Sequence, residues 1–192
     1  FLFQGAALFD SMTVEENVGL PLVESNTKFS KSEIKKIVEE KLSLVALEEI
    51  LNLKPSELSG GMKKRVALAR ALVTDPSYIL YDEPTTGLDP IMSDSIDQMI
   101  KDLSEKLNVT SVVVTHDMYS VKNVANRVAM MNDGIIYFTG KPDELINSSD
   151  KVNCILNGDP LQSASWIGAS IKICQPREER PVFTRAVANW KT

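Results

Sequence analysis

The stretch that most constrains this chain is Leu58-Ser59-Gly60-Gly61-Met62-Lys63-Lys64-Arg65-Val66-Ala67-Leu68-Ala69-Arg70-Ala71-Leu72. From Met62 to Leu72 there is no Gly or Pro. Met62, Val66, Ala69 and Val73 recur at helical spacing, while Lys63, Lys64, Arg65 and Arg70 place charge elsewhere. The pattern predicts a helix with Ser-Gly-Gly at its head. A serine there caps the first turn, and two glycines leave backbone N–H groups uncrowded, so an anion can approach the positive end of the helix dipole. Taken alone, Ser-Gly-Gly reads more readily as a plain turn before a surface helix.

The residues beyond this helix narrow the reading. After the turn signal Asp75-Pro76 comes the apolar run Tyr78-Ile79-Leu80-Tyr81, then Asp82-Glu83-Pro84, then Gly87-Leu88-Asp89-Pro90. A buried strand ending in two adjacent carboxylates suits metal-assisted phosphoryl chemistry, one acid holding the shell of a magnesium ion and the next reaching a water. Val112-Val113-Val114-Thr115 reads as a second buried strand, and it ends at His116-Asp117, with the only histidine of the chain. Strand, helix and strand in that order imply a parallel crossover, with functional residues at the carboxyl ends of the strands.

In this order the motifs resemble the nucleotide-binding subunits of ABC transporters. Leu58 to Met62 is similar to the family's signature loop, Tyr78 to Glu83 to its Walker B strand, and Gly87 to Pro90 to its D-loop. Thr115-His116-Asp117 is similar to its switch histidine and Phe3-Gln4 to its Q-loop. The resemblance covers about Phe1 to Leu145, with one departure: Met62 stands where the signature usually has Gln. It implies an α/β fold, a P-loop NTPase-like parallel sheet flanked by helices, with a small helical subdomain over about residues 10–58. Residues 1–147 then read as a partial nucleotide-binding domain, and residues 148–192 as a C-terminal extension, mobile rather than partner-binding or dimer-stabilising.

The resemblance also implies roles. Glu83 is expected as general base or water-positioning residue, His116 on the γ-phosphate, Asp82 on Mg²⁺, and Gln4 on both the metal and the attacking water. Ser59, Gly60, Gly61 and Met62 are expected on the nucleotide held by a second copy of the subunit packed head to tail, with Asp89 lining the seam. The implied cofactors are ATP and Mg²⁺. The implied partners are that second copy and a membrane permease, and the implied location is peripheral, on the cytoplasmic face of the inner membrane. The wording Phe3-Gln4-Gly5-Ala6-Ala7-Leu8-Phe9-Asp10-Ser11-Met12-Thr13-Val14, with Met62-Lys63-Lys64-Arg65, is similar to ATPases of the Mla type, implying phospholipid transport and a lipid-binding partner. ATPases of amino-acid or metal importers share most of these residues. The same motifs also occur in ABC-type ATPases of DNA repair or translation, which usually carry coiled-coil insertions or a second ATPase domain. A regulatory subunit that binds ATP without hydrolysing it is a further reading.

The 192 residues allow one domain with a sizeable core, 43% of them are hydrophobic, and no apolar run is long enough to span a bilayer. Acidic residues outnumber basic ones 26 to 21, and the net charge of -5 argues against a nucleic-acid partner. Cys154 and Cys174 fit neither a metal cluster nor a disulfide framework. The chain opens on Phe1-Leu2-Phe3 and contains no Gly-x-x-x-x-Gly-Lys-Ser/Thr phosphate loop. The expectation is therefore a partial sequence of a longer ATPase, inactive by itself.

Local signals fill in the remainder. Phe1-Leu2-Phe3 reads as a strand end. Thr13 with Glu16 and Ser30 with Glu33 are candidate capping boxes, and Pro21 is expected to end or kink the first helix. Thr27 to Leu53 reads as helices, with Ile34, Ile37, Val38, Lys41, Leu42 and Val45 on one stripe. Ile91 to Leu107 reads as a helix ended by Asn108, and Met118 to Asn126 as another. Asn132-Asp133-Gly134 marks a hairpin, Gly140 to Leu145 opens a short helix, and Trp166 and Trp190 are candidates to dock the tail.

Overall fold

In the computed structural model of this chain, residues 1–132 and 134–147 are described, together with the backbone of residues 169–173. Three helices come first: α1 (Val14–Val23), α2 (Lys31–Leu44) and α3 (Gly60–Leu72), packed on one another. Each of the first two opens on a capping box. Thr13 N–H donates to Glu16 Oε2 at 2.8 Å while Glu16 N–H donates to Thr13 Oγ1 at 3.3 Å. Ser30 N–H donates to Glu33 Oε2 at 2.7 Å, with the return bond from Glu33 N–H to Ser30 Oγ at 3.3 Å. Helices α1 and α2 touch at Gly19, where a Cβ would lie 2.9 Å from Ile34 Cγ2, so a larger residue there pushes them apart.

Two expectations for this region change. Pro21 stands inside α1 and does not stop it at once: the helix runs two residues on to Val23, because a proline lacks its own N–H and crowds the turn before it, not the residues after it. Residues Thr27 to Leu53 hold one helix, not several. After Leu44 the chain turns through Ala46 and Glu49, both left-handed at φ 54° and 58°, and reaches a single 3₁₀ turn at Pro55–Glu57. Inside α1, the buried Asn17 closes the preceding loop: its Nδ2 donates to Phe9 O at 3.1 Å and Thr13 O at 3.0 Å, and its Oδ1 accepts Phe9 N–H at 2.8 Å.

Strand β1 (Tyr78–Asp82), helix α4 (Pro90–Leu107) and strand β2 (Thr110–Thr115) form a parallel crossover, with Tyr78 opposite Thr110 and Asp82 opposite Val114. On the other side of β1, Leu2 continues the parallel ladder, with Leu2 N–H to Leu80 O and Asp82 N–H to Leu2 O each 2.8 Å. Asp89 caps α4, accepting Met92 N–H at 3.0 Å, and Asn108 ends it in the left-handed region at φ 52°. Next come α5 (Met118–Val124) and an antiparallel hairpin of β3 (Arg127–Asn132) and β4 (Ile135–Gly140), turned at Gly134 with φ 75°. Helix α6 (Pro142–Ile146) closes this part.

The sheet order is β1-β2-β5-β3-β4, where β5 (Ala169–Ile173) pairs antiparallel with both neighbours. The fold is α/β, with a parallel part formed by Leu2, β1 and β2 and an antiparallel part beyond it. Ser148-Ser149-Asp150, Cys154, Cys174, the Gln175 to Pro181 segment and both tryptophans lie outside the described residues.

The apolar runs of β1 and β2 read as strands buried on both faces, yet burial alternates along each. Ile79, Tyr81, Ser111, Val113 and Thr115 are buried, on the side where α4 and α5 pack against β2. Phe1, Phe3, Tyr78 and Leu80 are exposed, so one face of the sheet presents large apolar side chains outward. A continuous apolar run signals a strand without telling one-sided from two-sided cover. One core joins the helices and the covered face, with Val18, Val38, Leu68, Leu72, Ile79, Tyr81, Ile96 and Ile100 all at 2% exposure or less.

Candidate functional site

The site is assembled at the carboxyl ends of β1 and β2, where residues just past a strand project beyond the sheet. Glu83 follows β1 in the left-handed region at φ 46°, a conformation that costs a non-glycine residue about 1–2 kcal/mol. Surrounding bonds hold it there. Glu83 N–H donates to Val114 O at 2.9 Å, and Thr86 Oγ1 donates to Glu83 Oε2 at 3.0 Å. His116 follows β2 and brings Nδ1 to 2.8 Å from Glu83 Oε1. Where the carboxylate is ionised it only accepts, and Nδ1 is then the donor of the pair. The hydrogen bond and negative charge of Glu83 raise the His116 pKa above its ordinary value, against a smaller opposing effect of burial. Glu83 is 16% exposed and His116 68%, so the acid is enclosed while the imidazole is open.

Helix α3 reaches the same place from the other side. Its Lys64 is buried, and Nζ donates to Gln4 O and lies 3.4 Å from Glu83 O. Burial lowers the Lys64 pKa, opposed by the charges of Asp82 and Glu83. Further along the helix, Arg70 donates to Ala7 O and Ala6 O, each at 2.8 Å. Ala6 and Ala7 are both left-handed, at φ 63° and 49°. The sequence pattern places Lys64 and Arg70 among charges outside the apolar stripe, and the structure corrects this. The signal that could have found Lys64 is spacing: it lies in the i, i+4, i+8 row with the buried Leu68 and Leu72.

The Ser-Gly-Gly turn sits elsewhere. Ser59 Oγ accepts Met62 N–H at 3.2 Å as the cap of α3, and helix geometry leaves the Gly60 and Gly61 N–H groups without intrahelical acceptors. A Cβ on Gly60 would lie 3.5 Å from Leu88 Cδ2, and one on Gly61 would run into Met92 Cε, so the turn packs against the head of α4 that Asp89 caps. The structure thus gathers the sequence candidates into two groups, Gln4, Asp82, Glu83 and His116 in one and Ser59, Gly60, Gly61, Met62 and Asp89 in the other. Among the described residues no hydrogen bond or ion pair links Ser59, Gly60 or Gly61 to Glu83 or His116.

Asp82 is half-buried at the end of β1. Among the described residues no three His, Cys, Asp or Glu side chains gather as a metal cage. Mg²⁺ is ordinarily held by one or two carboxylates with waters and substrate phosphates, so an Asp82 beside Glu83 fits that ion. Among the described residues no helix is long and apolar enough to cross a membrane.

A further charge escapes the sequence pattern. Asp97, on α4 facing α5, is 2% exposed, and its Oδ2 has no hydrogen-bond partner among the described residues. Burial pushes its pKa up to about 6, the Ser120 hydroxyl pulls it down, and Asp117 and Asp94 add to the rise.

Known proteins resemble this chain over most of its length. The family model described as ABC transporter matches residues 1–86. The glucose import ATP-binding protein GlcV of Saccharolobus solfataricus is 44% identical over 167 residues, covering 87% of this chain and 44% of that protein. The intermembrane phospholipid transport system ATP-binding protein MlaF of Haemophilus influenzae is 43% identical over 149 residues, covering 78% of this chain and 56% of that protein. A solved dimeric ATP-binding cassette in a post-hydrolysis state with ADP and Pi superposes with a TM-score of 0.65 at 40% identity, over 74% of this chain and 62% of the other. The chain therefore spans about half the length of the curated relatives it matches. By its motif order, its strand topology and these likenesses, the chain is similar to the ATP-binding proteins of the ABC transporter family.

Proposed function

We propose that this chain supplies the catalytic carboxylate and switch histidine of an ATP-hydrolysing subunit that powers an ABC transporter. The observation that carries the reading is the 2.8 Å contact between Glu83 and His116 beside Asp82, at the ends of two parallel strands. In this reading Glu83 accepts the proton of the attacking water or holds that water in line, and His116, fixed through Nδ1, offers Nε2 to the γ-phosphate. Asp82 and Gln4 would hold Mg²⁺, which would supply neutralisation of the charge developing on the phosphate oxygens. Ser59, Gly60, Gly61 and Met62 cap the nucleotide of a second, head-to-tail copy, and Asp89 lines the seam. The solved dimeric cassette supports such an assembly. Differential affinity of closed and open dimers for ATP then drives a membrane permease between states, with the ATPase peripheral on the cytoplasmic face of the inner membrane.

Phospholipid is the cargo we propose, with a lipid-binding protein as a third partner. The Gln4 to Val14 wording, the Met62-Lys63-Lys64-Arg65 ending and the likeness to MlaF support it. A second reading, a solute importer, is favoured by the longer match to GlcV. Copurification of the protein with its permease, followed by transfer assays with labelled phospholipid and labelled sugar, separates the two.

The catalytic assignment is tested by Glu83→Gln in the protein that carries this chain. ATP binding is retained and turnover falls roughly 10²- to 10⁴-fold, the worth of a positioned base. Unchanged turnover removes Glu83 from the role. The 192-residue chain alone, which has no Gly-Lys phosphate loop, is expected to show neither tight ATP binding nor turnover.

A further inference from the structure

We propose that Lys64 is a positioning residue that locks the Gln4 loop and the Glu83 turn to the helix headed by Ser59, so that the two catalytic segments are held by one buried ammonium. Three segments far apart in sequence meet at Nζ. It sits on α3, donates to the backbone carbonyl of Gln4 and lies 3.4 Å from that of Glu83, and Lys64 is only 6% exposed. None of these contacts uses the side chain of Gln4 or Glu83. The ammonium therefore leaves the side-chain atoms of Gln4 and Glu83 free for chemistry while fixing the backbone from which they spring.

What makes such a lock necessary is conformation. Glu83 at φ 46°, Ala6 at φ 63° and Ala7 at φ 49° are all in the left-handed region that disfavours residues with a Cβ, and such residues persist only when their surroundings over-determine them. At Glu83 the holders are the Val114 carbonyl on its N–H, the Thr86 hydroxyl on its carboxylate, and the Thr86 N–H together with Lys64 on its carbonyl. At the loop they are Lys64 on Gln4 O and Arg70 on the Ala6 and Ala7 carbonyls. Lys64 alone spans both sites. A side chain without donors, even one of the same length, leaves two inward-facing carbonyls without that partner and lets both turns relax. Burial lowers the Lys64 pKa and the Asp82 and Glu83 charges oppose that fall, while the lock itself is made by the two carbonyl contacts.

The inference rests on the reading of Glu83 and Gln4 as catalytic for its consequence, though not for its geometry, and the test has one arm for each. Lys64→Met, Lys64→Arg and the unchanged protein are compared. The first arm is amide hydrogen exchange without nucleotide, below the melting transition. Lys64→Met should speed exchange at the Glu83 and Ala6 amides at least ~10-fold while the interior amides of α2 and α4 stay as they were, and Lys64→Arg should restore most of the protection. A loss of packing alone would speed all of them together. The second arm is ATP turnover by the protein that carries the chain. In Lys64→Met, kcat should fall roughly 10- to 100-fold with KM for ATP within about 3-fold, since misplacement of reacting groups is felt in the transition state. Unchanged or uniformly raised exchange overturns the lock, as does a failure of Lys64→Arg to restore it. Changed exchange with unchanged kcat overturns its positioning role. If even the unchanged protein turns over no ATP, the reading of the site fails, and the exchange arm still decides the lock.

Discussion

Lys64 and Asp97 are both charged side chains shut away from water, at 6% and 2% exposure, and their surroundings treat them in opposite ways. The α3 seam gives Lys64 two carbonyl oxygens and two nearby carboxylates. The α4–α5 seam gives Asp97 a nearby serine, whose hydroxyl also donates to Asp117 at 3.1 Å, and two further acids, and leaves one of its oxygens without a partner among the described residues. A buried charge is tolerated where the fold supplies opposite charge and hydrogen bonds, and otherwise its pKa moves until the neutral form is within reach. Burial alone thus does not tell a joint from a liability, since the partners decide which it is.

The contrast can be broken most forcefully by reversing the better-served charge. Lys64→Glu places a third acid beside Asp82 and Glu83 and removes both backbone contacts, so unfolding free energy should drop by about 3–5 kcal/mol, the scale of a broken buried pair, as read by urea titration. A drop below about 1 kcal/mol would mean that the seam is far wetter than its burial implies.

Asp97→Asn sharpens the other side, with the opposite sign. The folded-state pKa of about 6 lies above the ordinary 3.8, so folding favours the neutral acid. The stability this provides is fully present below the lower value and is lost as pH rises through the upper one. Asparagine, never charged, escapes that loss. The variant should be more stable than the unchanged chain by about 2–3 kcal/mol at pH 8, a shift of roughly two pKa units at 1.36 kcal/mol each, with the gain shrinking toward zero near pH 4. Urea titrations across that range decide it, and a gain independent of pH would assign the effect to packing.

The smallest effect belongs to a pair at the surface. Lys41 Nζ donates to Asp75 Oδ1 at 2.7 Å, but the Asp75 side chain is 83% exposed. Asp75→Asn should therefore cost no more than about 1 kcal/mol, and 1 M salt should erase most of it. A loss comparable with that of Lys64→Glu would remove burial and partnering as the basis of the ranking.

Much of this fold is legible in residues whose signals are local. The capping pairs Thr13–Glu16 and Ser30–Glu33, the Asp89 and Asn108 helix ends, the Ser59 cap and the turn at Gly134 all follow from a few neighbouring residues. Glu83 and His116 are legible as strand-end residues because each follows an apolar run. What is not legible depends on contacts far along the chain. Lys64 meets Gln4 sixty residues away, Arg70 meets Ala6 at sixty-four, and Asp97 meets Ser120 across two helices, so no window of local spacing contains both partners. The one-sided cover of β1 and β2 is hidden for a related reason. Val112, Val113 and Val114 give the same apolar run whichever faces are covered, and only the placement of α4 and α5 decides it.

The most direct test of the central claim, that Glu83 and His116 form one working pair, is the titration of the His116 ring followed by NMR. His116 is the only histidine in the sequence, so a single titrating imidazole is observed. In the unchanged chain its pKa should lie above the ordinary value of about 6.5, and Glu83→Gln, which removes the charge and keeps the shape, should bring it down toward that value. An imidazole that titrates at or below the ordinary value in the unchanged chain, or that ignores Glu83→Gln, would contradict the pair.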